Sequence, residues 1–98
     1  MARRANRRDD NHIEIRDAFR RLGFAVKDVA DLKNFCDLLV SKNGYTFCIE
    51  VKDGKKPPSQ RKLTEGESIF MHNWQGNYSI VMCIEDVEEI NNLVKLQS

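Results

Sequence analysis

Apolar positions along this chain follow two spacings, and the switch between them marks out the elements. Ile15, Ala18, Phe19 and Leu22 recur at i, i+3, i+4 and i+7, one face of a helix, and Gly23 stops it. The spacing predicts a helix over about 11–22. Phe24–Val29 reads as a strand. Two further β-rich runs flank Asn43-Gly44, a pair suited to a type I′ hairpin because both loop positions need positive φ. Asp53-Gly54 breaks the pattern and Pro57-Pro58 forbids regular pairing. Ser59 is a candidate N-cap for a helix carrying Leu63, Phe70 and Trp74, with Gly66 as its weak point. Thr64-x-x-Glu67 offers a later start as a capping box. At helical spacing, Phe70 and Trp74 are expected in the core. Gln75-Gly76-Asn77 predicts a turn, Tyr78–Ile84 a strand, and Glu85-Asp86 the opening of a last helix that buries Val87, Ile90, Leu93 and Val94.

The expected order is α-β-β-β-α-β-α, a single α/β domain over residues 10–98 behind a basic, flexible arm over 1–9. With Asn43 and Gly44 as the loop, Lys42 faces Tyr45, Val40 faces Phe47, Leu38 faces Ile49, and Asp37 falls opposite Glu50. Leu38, Val40, Phe47, Ile49 and Val51 then share a core face. Asp37, Leu39, Ser41, Thr46, Cys48, Glu50 and Lys52 share the other, apolar in the middle and charged at one end. A helix covering the middle would leave that charged end open as a cleft.

Composition narrows the class. With 98 residues, 41% hydrophobic and 32% charged, the chain has the makings of one globular domain. No apolar run approaches the roughly 20 residues of a membrane span, and the arginine-rich start lacks a secretory signal's apolar stretch. Cys36, Cys48 and Cys83 are odd in number and lie in apolar runs, which predicts small buried hydrophobes in a reducing cytoplasm. Net charge is only +1, but it is segregated. Arg3, Arg4, Arg7 and Arg8 form a basic arm, and Lys52, Lys55, Lys56, Arg61 and Lys62 form a second cluster beside the acidic pair. That segregation points to a polyanion such as DNA.

Facing carboxylates repel unless a cation sits between them. Asp37 and Glu50, with Lys52 two residues on, therefore suggest a divalent metal. Mg²⁺ or Mn²⁺ held by Asp37, Glu50 and the Val51 carbonyl could activate water, and Lys52 could orient or deprotonate it or stabilise phosphoryl charge. The bland alternative is a surface salt-bridge cluster at a strand end. His12 and His72 lack metal-ligand spacing with any cysteine, so zinc is not expected.

Asp37 followed by Glu50-Val-Lys52 across a hairpin resembles the PD-(D/E)XK nuclease superfamily. With Asp37–Val40, Glu50–Gly54, Pro57–Ser59, Lys62-Leu-Thr64 and Trp74, nearly the whole chain resembles small phage and prophage proteins of the VRR-NUC or Holliday-junction-resolvase-like type. The resemblance implies a restriction-endonuclease-like core with a mixed four-stranded sheet flanked by helices. It also implies metal-dependent endonuclease cleavage of DNA, with selectivity for branched or junction forms, and a homodimer. It assigns site roles to Glu14, an acid on the first helix that completes the metal site, and to Gln60. Glu14 also reads as part of an Asn11-x-x-Glu14 capping box, and Gln60 as a solvated helix opening. Two positions depart from the pattern: Cys36 stands where proline is common, and Met71 where similar proteins have histidine. Competing functions are a non-catalytic DNA- or protein-binding accessory module that keeps the fold, and a nuclease subunit of a larger assembly.

Overall fold

A computed structural model describes residues 9–97; the arginines at positions 3, 4, 7 and 8 lie outside the described residues. Helix α1 (His12–Arg21) is followed by β1 (Ala25–Asp28), β2 (Leu38–Lys42) and β3 (Tyr45–Val51). After a 3-10 turn (Pro58–Gln60) come α2 (Glu65–Asn73), β4 (Asn77–Val81) and α3 (Ile84–Gln97). The order matches the expectation from the sequence. The four strands form one mixed sheet in the order β1-β2-β3-β4. The first three are antiparallel neighbours, and β4 runs parallel to β3 after the crossover through α2. No helix among the described residues is long and apolar enough to cross a membrane.

The hairpin takes the expected register. Asn43 and Gly44 have φ of 53° and 86°, and the ladder runs from Lys42↔Tyr45 to Leu38↔Ile49. Period-two alternation then divides the sheet. Leu38, Val40, Ile49 and Val51 turn to one face, where Ile15, Ala18 and Phe19 of α1 and Val87, Ile90 and Val94 of α3 close the main core, with Phe47 partly buried against it. Cys48 turns to the other face and packs with Val29, Phe35, Phe70, Tyr78 and Cys36, which precedes β2 and lies beyond the slip at Asp37, outside the alternation. So α1 and α3 cover one side of the sheet, and α2 touches the other through Phe70.

Several local expectations are corrected. The register places Asp37 opposite Glu50, but the ladder ends one pair short: the Asp37 N–H donates to the Ile49 carbonyl (3.0 Å), one residue off register, while its carbonyl accepts from Val29 (2.9 Å). Ser59 lies in the 3-10 turn, and α2 starts late, with a complete capping box between Thr64 and Glu67. Trp74 is the extended C-cap of α2, not a core residue, and is 38% exposed. Leu93 also lies exposed on α3. The apolar run 78–84 is not one strand. It stops at Val81, and Ile84 opens α3, where the Asp86 carboxylate accepts the Met82 N–H (2.8 Å). Cys83 is left exposed in that bend, unlike Cys36 and Cys48. Asn11 precedes α1 without a side-chain capping bond. Its amide instead donates to the carbonyls of Lys52 and Met82, both at 3.1 Å, and ties the start of α1 to the ends of β3 and β4.

Candidate active site

Where β2 begins and β3 ends, the sheet opens into a cavity of about 480 Å³ lined by Asp37, Glu50, Val51 and Lys52, with Glu67 of α2 and Asp9 on its walls. Each side chain has an identifiable anchor. Glu50 is brought to the α2 side of the sheet by the same alternation that buries Cys48 there. The Asp37 carboxylate accepts the Val51 N–H (2.9 Å), which compensates for the broken ladder and fixes the acid at the cavity floor. Lys52 continues β3 by donating its N–H to the Val81 carbonyl (3.0 Å). Its ammonium reaches Glu67 Oε1 at 2.8 Å. That same oxygen closes the capping box on the Thr64 N–H (2.8 Å), so the helix cap and the lysine share one acceptor.

The electrostatics follow from this crowding. Glu50 is 3% exposed. Burial, followed by hydrogen bonding and charge repulsion from Asp37 and then Glu67, pushes its carboxyl far above the ordinary range, so it holds a proton at neutral pH. For Lys52, burial favours the neutral amine, but Glu67, Glu50 and Asp9 outweigh it and the ammonium is held more firmly than usual. Burial would raise Glu67 as well; the Lys52 hydrogen bond and the Thr64 N–H overcome that and bring it down. Asp9 is raised by burial, against the pull of Lys52 and Lys56.

The residues singled out in the sequence separate into two groups. Asp37, Glu50, Val51 and Lys52 line the one cavity. Glu14 is exposed on α1 and Gln60 is exposed in the 3-10 turn; neither lines it. The acid that reaches the cavity from the α1 side is Asp9, positioned because Asn11 is tied to Lys52 and the Asp9 carbonyl accepts the His12 N–H (3.0 Å). Periodicity carried no signal for Asp9, which precedes the helix. Glu67 was legible only as a cap. Of the second basic cluster, Lys55 and Lys62 are exposed, Lys56 pairs with Asp10 (3.6 Å), and Arg61 rests against the Met82 sulfur. Lys33, from the loop before β2, also lines the cavity.

Among the described residues, no three of His, Cys, Asp and Glu stand in an arrangement that could hold a metal ion. Of the cavity's carboxylates, Glu67 is engaged by Lys52, and Asp37 and Glu50 are the pair the sequence assigned to a metal. This set suits Mg²⁺, which binds through one or two carboxylates, keeps several waters and completes its shell with substrate phosphate oxygens. It does not suit a cage-forming metal. Comparison with known proteins adds nothing to the geometry: no family model matches the chain, and neither does any curated protein or solved structure.

Proposed function

We propose that this protein is a Mg²⁺- or Mn²⁺-dependent DNA endonuclease of the PD-(D/E)XK type, built on a restriction-endonuclease-like core. The observation that carries the reading is the convergence of Asp37, the buried Glu50 and Lys52 on one cavity at the end of β3. Burial comes first in raising the Glu50 carboxyl, and crowding by Asp37 and Glu67 adds to it; that crowding of acids is what a cation would relieve. Asp37, Glu50 and the Val51 carbonyl would hold the ion, which when bound supplies charge neutralisation and an acidified water. Lys52 stays protonated at neutral pH. It therefore acts as a fixed positive charge on the phosphoryl oxygens and an orienting donor to water, and not as the base. Lys33 at the rim and the exposed Lys55 and Lys62 offer contacts to the DNA backbone. The arm bearing Arg3, Arg4, Arg7 and Arg8 would extend these contacts. The proposal includes a homodimer, because the described residues present one Asp37–Glu50–Lys52 site and cutting both strands of a branched substrate takes two. It also includes action in a reducing cytoplasm.

One observation favours the non-catalytic reading: the Lys52 ammonium is already engaged by Glu67 at 2.8 Å. Incubating linear, flapped and four-way-junction DNA with the chain and Mg²⁺ separates the two. Cleavage that disappears in Lys52→Ala supports the nuclease. DNA binding without metal-dependent cleavage of any of the three supports the binding module.

A further inference from the structure

A second cavity, of about 430 Å³, lies against the first and shares Asn34, Gly66 and Phe70 with it. One wall is aromatic. The Phe70 and Trp74 rings stack with centroids 5.2 Å apart and planes 27° apart, and Phe35 meets both rings edge-on. Helix α2 buries none of its residues, and Ile69 beside this wall is 54% exposed. Two amides complete the lining: Asn73 at the end of α2, and Asn34, held at φ 57° in the loop before β2. Gly66 lies at the junction of the two cavities. A Cβ there would meet nothing within 4 Å, so no crowding calls for glycine. Glycine inside a helix is nonetheless unfavourable relative to alanine. What its missing side chain leaves is open space where the two linings meet.

We propose that this second cavity is a nucleobase subsite, and that the substrate class is DNA with an unpaired nucleotide beside the scissile phosphate. The inference rests on reading the first cavity as a phosphodiester site. A phosphate near Lys52 and Lys33 then has its own base within reach of the adjoining aromatic wall. A base would extend the Phe70–Trp74 stack, and side-chain amides match the donor and acceptor edges of a base. Stacking on aromatic side chains tolerates any base, because each presents a π face. In a continuous duplex the base is already stacked and paired and can enter only by flipping out, so flaps, overhangs and single strands are favoured.

Trp74 is the chain's one tryptophan, which makes its emission a direct reporter. The unaltered chain in chelator is titrated with a single-stranded oligothymidylate and with an abasic oligonucleotide of equal length and charge. The expected result is quenching of Trp74 and roughly 5- to 150-fold tighter binding for the base-bearing strand, the range supplied by one base stack. Trp74→Ala, at a ring that lines only the second cavity, followed by the anisotropy of end-labelled strands, should remove that preference and leave abasic binding in place. Equal affinities without quenching, alongside intact Mg²⁺-dependent cleavage, overturn the subsite and leave the nuclease reading standing. Base-selective quenching without any cleavage supports the subsite and removes the catalytic reading. Emission that changes with protein concentration in the absence of DNA assigns the cavity to a second copy of the chain and overturns the proposal.

Discussion

Replacing Glu50 by glutamine should stabilise the metal-free protein at neutral pH, an unusual outcome for a buried polar residue. In the unfolded chain this carboxyl ionises near 4.5; in the fold, burial and its Asp37 and Glu67 neighbours raise it well above neutrality. As pH rises past 4.5 the unfolded chain gives up the proton and the native chain keeps it. The unfolded state therefore binds fewer protons, and Glu50's contribution to stability falls with pH across that window. Each pH unit is worth about 1.4 kcal/mol, so the loss between pH 5 and pH 7 is on the order of 3 kcal/mol. Glutamine keeps the shape and a donor, and has no proton to lose. Urea denaturation of both proteins in chelator at pH 5, 6 and 7 isolates the effect, because Asp9 and Glu67 titrate in both. The gap in unfolding free energy should widen with pH in favour of Glu50→Gln. A gap that does not change with pH, or one that favours the parent more at pH 7 than at pH 5, would refute the reasoning about the buried acid.

Other consequences are local. Gly44→Ala meets no atom within 4 Å but sits at φ 86°; it should cost about 1–2 kcal/mol, and a neutral result in denaturant titration would contradict the turn. Asn11→Ala removes two hydrogen bonds that join α1 to the ends of β3 and β4. It should lower stability by about 1–3 kcal/mol, and an unchanged denaturation midpoint would count against that tie. Cys83 is exposed while Cys36 and Cys48 are buried, with burial raising both of their thiols. A thiol-specific chromophoric disulfide should therefore titrate one thiol per native chain and three on unfolding; three fast thiols in the native protein would contradict the packing on the α2 side.

Much of the fold was legible because local chemistry fixes it. Asn43-Gly44 sets the hairpin register, and the register sets both sheet faces, so Asp37, Glu50 and Lys52 could be placed together from residue spacing alone. The misses have tertiary causes. The slip at Asp37 arises because its carbonyl pairs with Val29 of the preceding segment, a partner that spacing within the hairpin does not show. Glu14 falls outside the cavity because the buried face of α1 follows His12, Ile15 and Phe19. Asp9 takes its place through Asn11, whose side chain serves two distant carbonyls instead of its own helix. The run 78–84 reads as a single strand until Asp86 captures the Met82 N–H and turns the chain into α3. Trp74 keeps helical spacing with Phe70, yet α2 ends just before it.

The central claim is that the protonated Glu50 carboxyl beside Asp37 is a cation site. Titrating Mn²⁺ into the chain by calorimetry at pH 7, in buffers of differing ionisation enthalpy, reads ion and proton together. The account predicts one ion per chain, release of about one proton on binding, and loss of both in Glu50→Gln. No binding, or binding that Glu50→Gln leaves unchanged, would contradict it.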